Sequence, residues 1–119
     1  MPETKTHTGG CHCGKVRYEV AAAFDKVIEC NCSICSKKAH LLSFVDVGQF
    51  KLLSGEESLT KYQFNKKHID HLFCSVCGIQ SFARGTKPDG TSSVAINVRC
   101  IDDVDLATLE RMPFDGRSK

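Results

Sequence analysis

Seven of the eight cysteines in this 119-residue chain fall into three tight clusters. They are Cys11-His12-Cys13, Cys30-Asn31-Cys32-Ser33-Ile34-Cys35 and Cys74-Ser75-Val76-Cys77. Thiols one or two residues apart are poor disulfide partners for each other. The same spacing lets two sulfurs reach a common zinc ion, each at about 2.3 Å. A Cys-x-Cys and a Cys-x-x-Cys doublet sum to four thiolates, which make a closed tetrahedral site. The middle cluster offers three and leaves one position open. That inequality is the functional clue in the chain.

The length suits one domain, with residues 1–7 as an N-terminal tail and 8–119 as a single zinc-binding unit. A chain of this size buries roughly two-thirds of its unfolded surface. Tryptophan is absent, and a modest core stapled by metal is the expectation. The formal charge is +2 when every cysteine is counted as a neutral thiol. Two zinc ions bring four positive charges and seven thiolates bring seven negative ones, so the loaded chain stands at about −1. With that balance, and no basic stripe interleaved with aromatics, nucleic-acid binding has no support.

No apolar run approaches the roughly 20 residues that a membrane span requires. Met1-Pro2-Glu3-Thr4-Lys5 lacks the apolar stretch of a signal peptide. A reducing cytoplasm is therefore the expected compartment, where clustered cysteines are metal ligands more often than disulfides. A secreted disulfide framework is the alternative, since eight cysteines can pair evenly. Nothing in the sequence sets the oligomeric state.

Along the chain, Thr8-Gly9-Gly10 predicts a turn before the first knuckle. Residues 15–20 alternate apolar and polar with the period of a half-buried strand, and 27–29 lead as another strand into the middle cluster. Strands are expected at 41–47 and 50–53, divided by Gly48, then at 59–64 and 69–73. Lys87-Pro88-Asp89-Gly90 is a turn signal. The clearest strand is 93–101, with Val94, Ile96, Val98 and Cys100 on one face and Asn97 and Arg99 on the other. This phase assigns Cys100 to the core as a small hydrophobe; the alternative is a fourth sulfur for the middle cluster. Residues 105–111 suggest one short helix with Asp105 as its N-cap. The whole reads as a mainly β domain built around metal knuckles.

Gly14 and Gly78 each follow the second cysteine of a doublet, where a knuckle needs unusual dihedrals and backbone N–H groups aimed at sulfur. Cys11 and Cys13 could share an ion with Cys74 and Cys77, or instead with Cys30 and Cys32. In the middle run, three thiolates on zinc leave a site where an incoming thiol, or a water, can lose its proton at neutral pH. Lys37 and Lys38 follow directly; they either favour an anionic ligand such as a carboxylated thiol or form a solvated face. Among the histidines, His12 faces solvent between two ligands. His40 lies too far past Cys35 for an evident ligand spacing. His68 and His71, three apart on a strand, point opposite ways and are expected at the surface.

Gly10-Cys11-His12-Cys13-Gly14, the middle run, and Phe73-Cys74-Ser75-Val76-Cys77-Gly78 together resemble the glutathione-dependent formaldehyde-activating enzyme family, which includes centromere protein V. Asn97-Val98-Arg99 and Phe114-Asp115-Gly116-Arg117 resemble further family segments. The resemblance implies an all-β, Mss4-like fold with two zinc ions. It places a structural zinc on Cys11, Cys13, Cys74 and Cys77, and a catalytic, labile one on Cys30, Cys32 and Cys35. The reaction it implies joins formaldehyde to glutathione as S-(hydroxymethyl)glutathione, a carbon–sulfur lyase step in reverse. Its partners are then a small thiol like glutathione and a small aldehyde. Two other functions stand beside it: a zinc-stabilised protein-binding module of the Mss4 kind, and a thiol redox sensor that releases zinc on oxidation.

Overall fold

The strand β2 (Arg17–Ala22) turns its sequence alternation directly into core: Tyr18, Val20 and Ala22 are buried, and the residues between them only half so. In this computed structural model the described residues are 5–24, 26–31, 33–38, 40–63, 69–86 and 90–114, the side chains of Ser33 and Cys35 excepted. On either side of β2 lie β1 (Lys5–Gly10) and β5 (Phe50–Ser54), both antiparallel to it, in a three-stranded sheet. The turn expected at residues 8–10 is the end of β1 instead. Gly9 is there for close approach: a Cβ would sit 2.6 Å from the Cys100 carbonyl oxygen and 2.8 Å from the Tyr18 hydroxyl.

The larger sheet has seven strands in the order β10 (Glu110–Phe114), β3 (Lys26–Cys30), β4 (Leu42–Asp46), β9 (Ser92–Asn97), β8 (Phe82–Thr86), β7 (Ile69–Cys74) and β6 (Leu59–Tyr62). Its pairings are antiparallel except for β10 alongside β3. Val27, Val45, Phe82, Val94 and Ile96 are buried from this sheet, and join Val16, Tyr18 and Val20 in one apolar cluster. Tyr18, Phe50 and Phe82 pack at its centre, with ring centroids 4.7–5.9 Å apart in the tilted and edge-on arrangements that aromatic quadrupoles favour. The chain is mainly β, as its period-two patterning requires.

Three further elements depart from expectation. The helix predicted over 105–111 is a single 3-10 turn, Leu106–Thr108, followed by β10. Asp105 does cap that turn, accepting from the Ala107 N–H at 3.0 Å. Pro113 then holds Met112 extended, and pairing with β3 takes over. A proline is tolerated there because β10 is an edge strand. The strand predicted over 93–101 stops at Asn97, whose side chain accepts from the Arg99 N–H at 3.3 Å and starts a 3-10 turn, Val98–Cys100. Lastly, α1 (Ser33–Lys38) carries the end of the middle cysteine run, too short for any helical periodicity to show. Among the described residues, no helix is long and apolar enough to cross a membrane.

Candidate functional site

Cys11 and Cys13 follow β1, while Cys74 ends β7 and Cys77 lies in the turn beyond it. The four Sγ atoms lie within 4.8 Å of one another. Cys11 and Cys13 sulfurs are 3.5 Å apart, and those of Cys13 and Cys74 are 3.7 Å apart. Zn–S bonds of 2.3 Å in a tetrahedron put sulfurs about 3.8 Å apart, so this donor set fits a zinc-sized ion. These distances are far beyond a disulfide bond of about 2.05 Å, and the four thiols are free.

The backbone shapes both knuckles. Val16 N–H donates to Cys11 Sγ at 3.3 Å, and Cys11 N–H donates back to the Val16 carbonyl at 3.1 Å. In the other knuckle, Gly78 N–H donates to the Cys74 carbonyl at 2.8 Å. Gly14 and Gly78 have φ of +84° and +80°, with open space where a Cβ would go. Conformation rather than room therefore selects glycine at these two positions.

The four thiols cannot all ionise beside one another without a cation. Burial works against the Cys77 thiolate, yet the N–H groups of Cys13 and Ile79 and the neighbouring thiols outweigh it and bring Cys77 down to about 6. Cys13 goes the other way, to about 11. The Lys15 N–H favours its thiolate, but burial and hydrogen bonding with the other three cysteines oppose it. A divalent ion removes that conflict by neutralising the shared charge.

Cys100 is half-buried rather than part of the apolar cluster, because the strand's phase ends at Asn97. Its thiol points to the Gln80 carbonyl at 3.9 Å. Burial pushes it up to about 11, and the nearby charges of Cys11 and Cys77 add to the effect.

Of the middle run, Cys30 is described in full; Cys32 and the side chain of Cys35 lie outside the described residues, as do His68, residues 87–89 and the segment 115–117. Cys30 ends β3 opposite Phe114, and Asn31 N–H donates to the Phe114 carbonyl at 3.1 Å. It lines a cavity of about 300 Å³ together with His40, His71 and Gln80. This cavity opens on the face of the larger sheet turned away from the core.

Both histidines are buried, His40 to 3% and His71 to 7% exposure, which corrects the surface position expected for His71. Period-two reasoning sends polar residues outward from a one-sided sheet, but on that face the Gln80 side chain lies against His71. Burial drives His40 down to about 4, with the Lys38 charge adding to the effect. His71 is lowered by the same two causes in the same order. Both rings are therefore neutral at pH 7.

Gln80 links the group. Lys38 Nζ donates to its Oε1 at 2.8 Å, and its Nε2 lies 3.4 Å from His71 Nδ1. With the Gln80 amide as donor, His71 Nδ1 accepts and the ring proton sits on Nε2. Lys38 is thus tied to the site, and Lys37 is exposed. Sequence reasoning missed His71 and Gln80; their signal was proximity to the second doublet, three residues before Cys74 and three after Cys77.

The native state refuses protons that the unfolded chain takes up at these histidines. A histidine lowered from 6.5 to about 4 leaves stability intact above pH 6.5 and loses it as pH falls from there toward 4. With allowance for residual solvent access, the loss at His40 is expected to be about 2 kcal/mol by pH 4.5. Urea unfolding of the wild type and His40→Gln at pH 7 and 4.5 checks this: the variant should lose less, and equal losses would assign the acid sensitivity elsewhere.

A solved structure of a Rhodobacter sphaeroides protein is similar to this chain, with 29% identity and a TM-score of 0.77, over 89% of this chain and 97% of that one. A family model described as glutathione-dependent formaldehyde-activating enzyme matches residues 6–113. The match spans all three cysteine clusters, the two histidines and both sheets. By that match the chain belongs to the glutathione-dependent formaldehyde-activating enzyme family.

Proposed function

We propose that this protein is a zinc-dependent carbon–sulfur lyase acting on thiol–aldehyde adducts, in the simplest case joining glutathione and formaldehyde as S-(hydroxymethyl)glutathione. The observation that carries the reading is the Cys30 thiol in the wall of a cavity shared with His40 and His71, in a chain of this family. Cys11, Cys13, Cys74 and Cys77 would hold a structural zinc. Cys30, Cys32 and Cys35 would hold a catalytic one, which three protein ligands retain less firmly than four. The unit that carries this activity is residues 8–119, working in the cytoplasm, where the thiols stay reduced.

When bound at the three-cysteine site, zinc supplies the positive charge that lets an incoming thiol ionise at neutral pH. The chain's own residues supply the rest. Neutral His40 can take the thiol proton and return it to oxygen, since an uncharged imidazole offers one acceptor nitrogen. His71, with Nδ1 engaged by Gln80, can instead donate its Nε2 proton to the carbonyl oxygen as charge develops there. In the forward direction sulfur bonds to the carbonyl carbon, the C=O π pair moves to oxygen, and that oxygen takes the proton. Gln80 fixes the His71 ring through its contact with Nδ1, and Lys38 steadies Gln80 while offering positive charge to a carboxylate of the thiol. The carbon-lined wall keeps bulk water from the reacting centre.

Protein isolated under reducing conditions is expected to carry two zinc ions per chain, and to accelerate exchange between free glutathione and its formaldehyde adduct in magnetisation-transfer NMR. One zinc or fewer after zinc is supplied, or an exchange rate no faster than without protein, would remove the lyase reading.

A further inference from the structure

The face of the larger sheet that carries the cavity is apolar where water-facing antiparallel sheet is expected to be polar. Ala83 and Ala95 stand opposite each other at its floor, with Phe44 beside Ala95 and His71 beyond Ala83. Phe44 and Ile69 rise at the rim and are 54% and 45% exposed. The result is a concave, largely carbon-walled space of about 300 Å³ whose titratable groups are Cys30, His40 and His71, with Gln80, Thr86 and Ser93 as its other polar side chains. An apolar hollow with a few convergent polar groups is the usual form of a small-molecule site.

Neither reactant named above fills this hollow. Formaldehyde is close to water in size, and a water's share of liquid volume is about 30 Å³. Glutathione carries two carboxylates and an ammonium, which are costly to bury against carbon. The thiol's charges therefore belong outside, near Lys38, and the space is left to the substituent of the carbonyl partner.

We propose that the aldehyde this site takes best carries an apolar chain of several carbons, lying over Ala83 and Ala95 with its carbonyl at the Cys30, His40 and His71 end. The inference rests on the lyase reading of that site. The chemistry is unchanged: a carbon–sulfur bond forms, the carbonyl π pair goes to oxygen, and the thiol proton follows it, with no oxidant or reductant required.

The test is a series of straight-chain aldehydes from propanal to hexanal with glutathione, each rate divided by its uncatalysed rate. kcat/KM is expected to rise about fourfold per added methylene, the factor that burial of one CH2 supplies. Ala95→Leu, which raises the floor, should flatten the series. Phe44→Ala, at an exposed rim position where folding is not at stake, should lower the slope as well. Binding is read separately with hexanamide, an unreactive analogue: it should shift the Ala83 and Ala95 methyl signals, and formamide should not.

A flat series in a protein that turns over formaldehyde would overturn this inference and leave the lyase reading standing. Absence of turnover with every aldehyde, formaldehyde included, would overturn both. Rising rates with formaldehyde and alkyl thiols of increasing length, instead of with the aldehydes, would give the hollow to the thiol and overturn the assignment. So would a dimer in sedimentation that Phe44→Ser dissolves while hexanamide leaves the methyl signals unmoved, since a second copy would then cover this face.

Discussion

Cys74→Ser is expected to cost the protein its fold. Cys74 is fully buried at the end of β7, and its sulfur lies 3.7 Å from that of Cys13 across the join between the two sheets. Serine turns a four-thiolate donor set into three and puts a hydroxyl, a much poorer zinc ligand, among sulfurs. Structural zinc binding contributes about 10 kcal/mol or more, and the net stability of a domain is of the same order, about 5–15 kcal/mol. The variant should therefore lose a zinc equivalent and its cooperative melting transition together. Wild-type melting with wild-type zinc content would show that this cluster does not hold the fold.

Cys32→Ser is expected to act on the other half of the problem. It lies in the middle of the three-cysteine run, and its loss leaves two thiolates, too few to retain zinc at an open site. The expected product is folded, keeps one zinc, and has no thiol-dependent turnover above background. Cys100→Ala is the control. That thiol is half-buried beside the Gln80 carbonyl, so truncation should cost about 1 kcal/mol while both metals remain. Loss of the second zinc from Cys100→Ala but not from Cys32→Ser would make Cys100 a ligand and redraw the middle site.

The mainly β fold was legible because alternation in residues 15–20 and around Val94 and Ile96 reports one-sided burial, and both segments face the same apolar cluster; its Mss4-like character came from the family resemblance. The cysteine doublets were legible as metal ligands because such ligands must sit at a few fixed spacings, and the family resemblance, not spacing, paired Cys11 and Cys13 with Cys74 and Cys77. What stayed hidden was tertiary. Asp105 is a good N-cap, but the segment after it finds a strand partner in β3, which no local signal announces. His71 reads as a surface residue until the Gln80 side chain is seen to lie against it. Gly9 reads as a turn until Tyr18 and Cys100 are seen to need the space. Each of these misses came from a contact outside the local segment, whereas the early end of β9 is local, set by the Asn97 side chain accepting from the Arg99 N–H.

The separation of the two doublets has a consequence for biosynthesis. Cys13 and Cys74 are 61 residues apart, and a ribosome adding about 5–20 residues per second takes about 3–12 s to cover that distance. The Cys30 to Cys35 run emerges inside the interval. Metal available during synthesis therefore meets Cys11 and Cys13 with Cys30 and Cys32 as the first complete set of four thiolates, well before the native partners exist. Loading of the Cys11, Cys13, Cys74 and Cys77 cluster would then require either delivery after release of the chain or an exchange in which Cys74 and Cys77 displace the earlier pair. The thiols that would clamp the zinc-loaded protein would thus also be its main hazard while it is being made.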